Sequence, residues 1–224
     1  MPDSAPVHVT TRNGRVRVVA TDGAALSVEG GTIEHHEDGT MHVRRAPSSR
    51  ALEVQCATGT NVTVGTVSGS VELVGALGAV RVSTVSGKIR IETAASVDAR
   101  TKSGKVDIGS CAGECRVMTT SATVHVGQAG RASVAAISGV VLLEKVGGAQ
   151  VKTVSGKVLL ATEGGGEVTV HTVSGKVDIR VPRAHNPATR LRSLSGRVRC
   201  DCPPGSDGEI AVSSVSGAIN VSSG

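Results

Sequence analysis

TVSGKIRIET, residues 84–93, begins with four letters that return along most of the chain. Thr-Val-Ser-Gly recurs at 66, 153 and 172, with TKSG at 101, AISG at 136, SLSG at 193 and SVSG at 214. The anchors are Gly69, Gly87, Gly104, Ala122 (of TTSA), Gly139, Gly156, Gly175, Gly196 and Gly217, at intervals of 18, 17, 18, 17, 17, 19, 21 and 21 residues. Two and four places after each anchor the residue is apolar, as in Ile89 and Ile91, Val106 and Ile108, Val158 and Leu160. Five places before it stands Val, Ala or Leu, and three places before it Thr, Ser or Ala. Apolar residues at alternate positions mark a strand with one buried face. The step from five before to two after is odd, so the alternation slips phase at Ser-Gly. A corner explains the slip: glycine supplies the backbone freedom, and serine bonds locally.

Composition points the same way. The 224 residues include 29 glycines and no Phe, Trp or Tyr. A core without aromatic rings is thin, and thin cores extend over long chains when small units stack along one axis. The expected fold is therefore all-β: a single-domain parallel β-solenoid over residues 1–224, with coils of 17 to 21 residues and Ser-Gly corners. Val should sit over Val and Thr over Thr, with buried Thr hydroxyls bonded to one another or to the backbone. Residues 7–18, with Val7, Val9, Thr11, Gly14, Val16 and Val18, fit the template as a first rung, and 62–221 form the regular coils. Segments such as EKVGGA and ATEGGGE read as loops leading to the next coil. Between 21 and 58 the register fails, which predicts degenerate rungs or an insertion, and Asp38-Gly39 signals a tight hairpin.

The TVSGKV-x-I words over 62–221, echoed at 7–18, resemble the bacterial putative-adhesin β-strand repeat family, a domain of unknown function related to the Toastrack domains. The resemblance implies a solenoid without established catalysis. It also implies an assembly platform accompanying envelope-stress systems of the phage-shock type.

The amino terminus shows no basic-then-apolar leader, and no run approaches the roughly 18 apolar residues of a membrane span. These features predict a cytoplasmic protein with no membrane span. Five cysteines, Cys56, Cys111, Cys115, Cys200 and Cys202, are an odd count that fits reduced thiols. Cys200 falls in an inward column as a small hydrophobe, and Cys111 with Cys115 reads as an ordinary loop pair rather than a bridge or soft-metal site. A two-residue Asp38-Gly39 turn would set His35 opposite His42 with Glu34 or Glu37 nearby, but two imidazoles are too few for a metal centre. No metal or cofactor is expected. His125 and His171 take outward positions with no partner in the template.

Catalysis is not expected either. Solenoid hydrolases gather carboxylates within about 5 to 10 Å on one face. Here the acids of the column three after the anchor, Glu72, Asp107 and Asp178, lie two or more coils apart, and only a mixed cluster of Lys88, Lys105 and Asp107 approaches. Gly164, Gly165 and Gly166 lack the Lys-Ser/Thr of a phosphate loop.

What remains is binding. The formal charge is +5 and the pI about 9.2. Lys88, Lys105, Lys157, Lys176 and Arg197 share an outward column, and Arg190, Arg192, Arg197 and Arg199 crowd one late stretch. Such a stripe attracts an acidic partner or lipid head groups, or simply keeps strand faces soluble. Nucleic acid is disfavoured because no aromatic ring can stack on a base. Val140, Leu142 and Leu159, with Ala135 and Ile137 alongside, predict an outward apolar patch, either an association surface or a face covered by 21–58. The last coil, 210–221, is expected to end in an open strand edge. The leading expectation is a noncatalytic scaffold that binds a protein partner or itself. The alternative is a solenoid self-polymerising through its coil ends; a solenoid enzyme on polysaccharide ranks third.

Overall fold

The computed structural model describes residues 5–23, 25–36, 39–46 and 51–224, and in it the chain is an all-β solenoid. It divides into two compact units, Met1–Ala112 and Gly113–Gly224.

In the first unit β1 (Val7–Asn13) and β2 (Arg15–Thr21) meet at Gly14, whose φ is +98°. β3 (Ser27–Glu29), β4 (Gly31–His35), β5 (Met41–Arg45), β6 (Ala51–Ala57) and β7 (Val62–Ser68) follow. β7 lies parallel to β1, with Val62 beside Val7 and Thr66 beside Thr11. One coil on, Val80 lies beside Val62 and Thr84 beside Thr66. Like therefore stacks on like, as the columns predict. Val16, Val18, Ile89, Ile91, Val106 and Ile108 are at most 1% exposed, and burying each such side chain contributes about 1.5–3 kcal/mol.

The corners stack too closely for side chains. A Cβ on Gly104, where φ is +126°, would run into the carbonyl of Gly87. The Thr column is buried, but contrary to expectation the hydroxyls of Thr66, Thr119 and Thr172 have no hydrogen-bond partner among the described residues, whereas Thr11 Oγ1 donates to the Asn13 carbonyl at 2.8 Å and Thr101 Oγ1 to that of Ser103 at 2.9 Å. Each such bond ties a strand to its own corner.

Two expectations change. EKVGGA, read as a loop, is strand, because β8 (Val71–Thr162) keeps its hydrogen bonding around successive corners, while ATEGGGE does leave the strand at 163–166. This third wall has its own inward residues: Leu77, Ala94, Val97 and Cys111 in the first unit, and Cys115, Ala129, Ala132, Val146 and Ala149 in the second, each at most 4% exposed. Many are Ala or Cys, too small to stand out as an apolar column.

Residues 21–58, secondly, contain two further strands of the stack. β5 pairs with β1 (Val43 beside Val9) and β6 with β2 (Val54 beside Val18), both parallel. Because β1 and β2 carry β7 and the start of β8 on their other edges, β5 and β6 are outermost, then β1 and β2, then β7 and β8. β3 and β4 run antiparallel over this outermost coil, setting Val28 opposite Val54 and Ile33 opposite Val43. β4 and β5 form the expected antiparallel pair, while Asp38 lies outside the described residues.

The second unit ends in β9 (Glu167–Val181), β10 (Ala188–Ser193), β11 (Val198–Asp201), β12 (Glu209–Ser214) and β13 (Ile219–Ser223). The expected open edge at 210–221 is not there. β12 and β13 pair with β9 on one side (Val212 beside Val170, Ile219 beside Val177) and with β10 and β11 on the other (Val212 beside Leu191, Ile219 beside Val198). The outermost coil is instead 188–201. Apolar content explains the exchange: Ile210, Val212, Ile219 and Val221 gain cover on both sides and are at most 2% exposed, while Thr189, Leu191, Val198 and Cys200 have less to lose in water. Among the described residues no helix is long and apolar enough to cross a membrane.

Candidate interaction surfaces

The outermost coil of the second unit carries all four predicted arginines. Arg190 and Arg192 stand on β10 and Arg199 on β11, with Arg197 just before it. β10 pairs only with β12, and β11 only with β13, so each leaves an outer edge without a partner among the described residues. Arg190 lies 3.0 Å from Glu209 and Arg199 2.8 Å from Asp201. Arg192 and Arg197 make no ion pair among the described residues.

With no further coil beyond it, this end exposes positions that are core elsewhere. Val198 is 41% exposed, and Cys200 is exposed rather than the buried small hydrophobe its column predicts. Cys202, beside it, has its thiol pKa raised, by partial burial first and then by Cys200. Cys111 and Cys115 are not a loop pair: both are buried in the third wall. Burial likewise pushes the Cys56 thiol up.

The predicted apolar patch splits in two. Leu142 and Leu159 line an open groove of about 650 Å³ with Lys157, Asp178 and Arg180. Val140 and Ile137 lie outside that groove at the corner, 36% and 53% exposed. In the first unit the column equivalent to Leu142 and Leu159 is charged. Arg17 bridges Glu53 (3.9 Å) and Glu72 (4.0 Å), and Asp107 receives Arg90 (3.8 Å) and Lys105 (3.6 Å). Pairs this exposed contribute about 0–1 kcal/mol each. They keep a strand face wet and register its neighbours.

Neighbouring coils also supply partners for the two outward histidines that the single-coil template leaves alone. His125 Nε2 lies 3.0 Å from Glu144 Oε1, and His171 Nδ1 lies 2.6 Å from Ser213 Oγ. In the N-terminal pair of strands the register sets Glu34 opposite His42, and His35 opposite Met41, which displaces the predicted His35/His42 pair. The His42 ring sits instead 5.1 Å from that of His8 and 4.1 Å from that of His36. Among the described residues no group of three His, Cys, Asp or Glu is arranged to hold a metal ion.

Sequence reasoning passed over one further feature, the second letter of the corner word. Val154, Val173 and Val215 are 46–48% exposed and Leu194 is 84% exposed. The signal was present, since this position follows an inward Thr or Ser and must point out.

The same fold occurs in crystal structures of a putative adhesin from Bacteroides fragilis and a putative adhesin from Parabacteroides distasonis. The first shares 9% identity at a TM-score of 0.53, covering 98% of this chain and 93% of that one. The second shares 12% at a TM-score of 0.57, covering 94% and 93%. No curated protein gives a significant match. The family model described as Toastrack DUF4097 matches residues 8–223, almost the whole chain, and with its corner words and stacked coils accounted for, the chain belongs to the Toastrack DUF4097 family.

Proposed function

We propose that the protein is a noncatalytic assembly scaffold that docks an acidic protein segment on the outermost coil of its second unit. The observation that carries this reading is the bare edge of β10 and β11 with Arg190, Arg192, Arg197 and Arg199 on it. An unpaired strand edge offers main-chain hydrogen bonds to an added strand, and a row of guanidinium groups selects carboxylates and rejects cationic segments. The groove at Leu142 and Leu159 is a second place for the same partner to rest. Support for a noncatalytic role comes from the outer-face carboxylates, since Asp107 is held by Arg90 and Lys105, and Asp178 lies 3.0 Å from Lys176. The cytoplasm, and the envelope-stress setting implied by the family resemblance, complete the proposal.

Fluorescence anisotropy with extended acidic peptides tests it. Affinity should fall roughly tenfold or more in Arg190→Glu/Arg192→Glu, in line with reversing two charges at an interface. Equal affinity in parent and variant would remove the docking edge. A second reading, self-association through the coil end, would use the same unpaired edge against the repulsion of its own arginines. Mass photometry over a concentration series separates them: growth beyond a dimer supports polymerisation, and a discrete small species supports the scaffold.

A further inference from the structure

In the second unit the residues two places before the anchors from Gly139 to Gly217 form one row. Strand register places Val154 next to Val173, Val173 next to Val215, and Val215 next to Leu194. Ile137 precedes Val154, because the Gly156 corner rests on that of Gly139. The five are 53%, 48%, 48%, 46% and 84% exposed in stacking order from Ile137. At strand spacing the row is about 19 Å long. Folding does not require an apolar residue there: outside the row the same column holds Arg12, Lys102 and Thr120 as well as the exposed Val67 and Val85. Five consecutive apolar side chains on a corner are therefore in excess of what the coil needs.

Cations flank the row on both sides. Four places before the anchor stand Lys152 and Arg192, and one place after it Lys157, Lys176 and Arg197. Neither column contains a carboxylate, nor does the serine column between them. Acids begin only three places after the anchor, where Asp178 holds Lys176. Lys152, Lys157, Arg192 and Arg197 make no ion pair among the described residues. The crest is a turn of the chain, and the groove on the neighbouring face includes none of its five residues.

We propose that this crest seats the second unit on an anionic lipid surface, with Ile137, Val154, Val173, Val215 and Leu194 among the head groups and the flanking Lys and Arg on the phosphates. A convex apolar row with cationic shoulders suits a soft interface that parts around it. A folded protein partner would have to supply a matching furrow.

Flotation of the full chain with phosphatidylcholine vesicles, with and without phosphatidylglycerol, tests the assignment. Binding should require the anionic lipid, weaken with salt, and fall roughly tenfold in Val154→Thr/Val173→Thr/Val215→Thr, given the apolar contribution to interfacial binding. The column already accommodates Thr120, and thermal unfolding of the triple variant verifies its fold. A second variant reads insertion directly. The chain has no aromatic residue, so Val173→Trp provides the sole indole emission, which should shift to the blue on anionic vesicles. An unshifted emission with vesicles bound, or a triple variant that binds as the parent does, overturns the proposal. So does polyglutamate binding that the triple variant loses in step with vesicles, which would assign the crest to an acidic protein. Arg190 lies off the crest, so Arg190→Glu should retain vesicle binding while losing acidic peptides. The crest and the docking edge can therefore fail separately.

Discussion

The outermost coil of the first unit, 41–57, is roofed by β3 and β4, and Val43, Leu52 and Val54 within it are wholly buried. The outermost coil of the second unit, 188–201, has no strand paired to its outer edge among the described residues and leaves Val198 41% exposed. In both, the coil holding the chain terminus sits one place further in. The contrast shows two ways of finishing a stack of parallel coils. One covers the last edge with short antiparallel strands that prolong the inward columns through Val28 and Ile33. The other leaves the edge open and places arginines on it, so that a second identical edge would meet like charge.

The largest expected effect breaks the comparison at its core. Leu52→Ala, at the roofed coil, should cost about 2–5 kcal/mol, while Val198→Ala at the bare coil should cost under about 1 kcal/mol. Denaturant unfolding of the two variants checks both values, and equal losses would show that the bare coil is covered in solution. Next comes the corner. Gly104→Ala forces a side chain onto the Gly87 carbonyl at positive φ and should cost about 1–3 kcal/mol.

Smaller in free energy is the guard on the open edge. Replacing Arg190, Arg192, Arg197 and Arg199 by Thr should leave the melting temperature nearly unchanged yet induce concentration-dependent association in sedimentation velocity. A variant of unaltered mass would mean that the arginines do not protect the edge. The mildest probe changes nothing in the sequence. Maleimide under native conditions should label Cys200 and Cys202 and spare Cys56, Cys111 and Cys115, which are at most 2% exposed. Peptide mapping that finds Cys111 or Cys115 labelled as fast as Cys200 would contradict the buried third wall.

Periodicity made most of the coil legible. Ile89, Ile91, Val106 and Val158 are buried where the columns put them, and Thr84 stacks beside Thr66. The third wall stayed hidden because Ala129, Ala132 and Ala149 give no hydropathy contrast with the glycines around them. Of the candidate site, Arg190, Arg192, Arg197 and Arg199 stood out as a basic cluster, but their place on a bare edge did not. The patch at Val140, Leu142 and Leu159 was visible as exposed apolar letters, whereas its division between corner and groove depends on where each strand bends.

Local chemistry along the chain specifies the coil: which residues face inward, where the chain turns, and that like stacks on like. Those properties follow from bond geometry and the alternation of side chains, which act within one turn of chain. The order of the coils is set by long-range packing. β5 and β6 lie outside β1 and β2, and β12 and β13 lie inside β10 and β11. Every coil presents nearly the same edge to its neighbours, so local pairing cannot rank them. The ranking comes from how much apolar surface the whole stack removes from water, a quantity no single repeat contains.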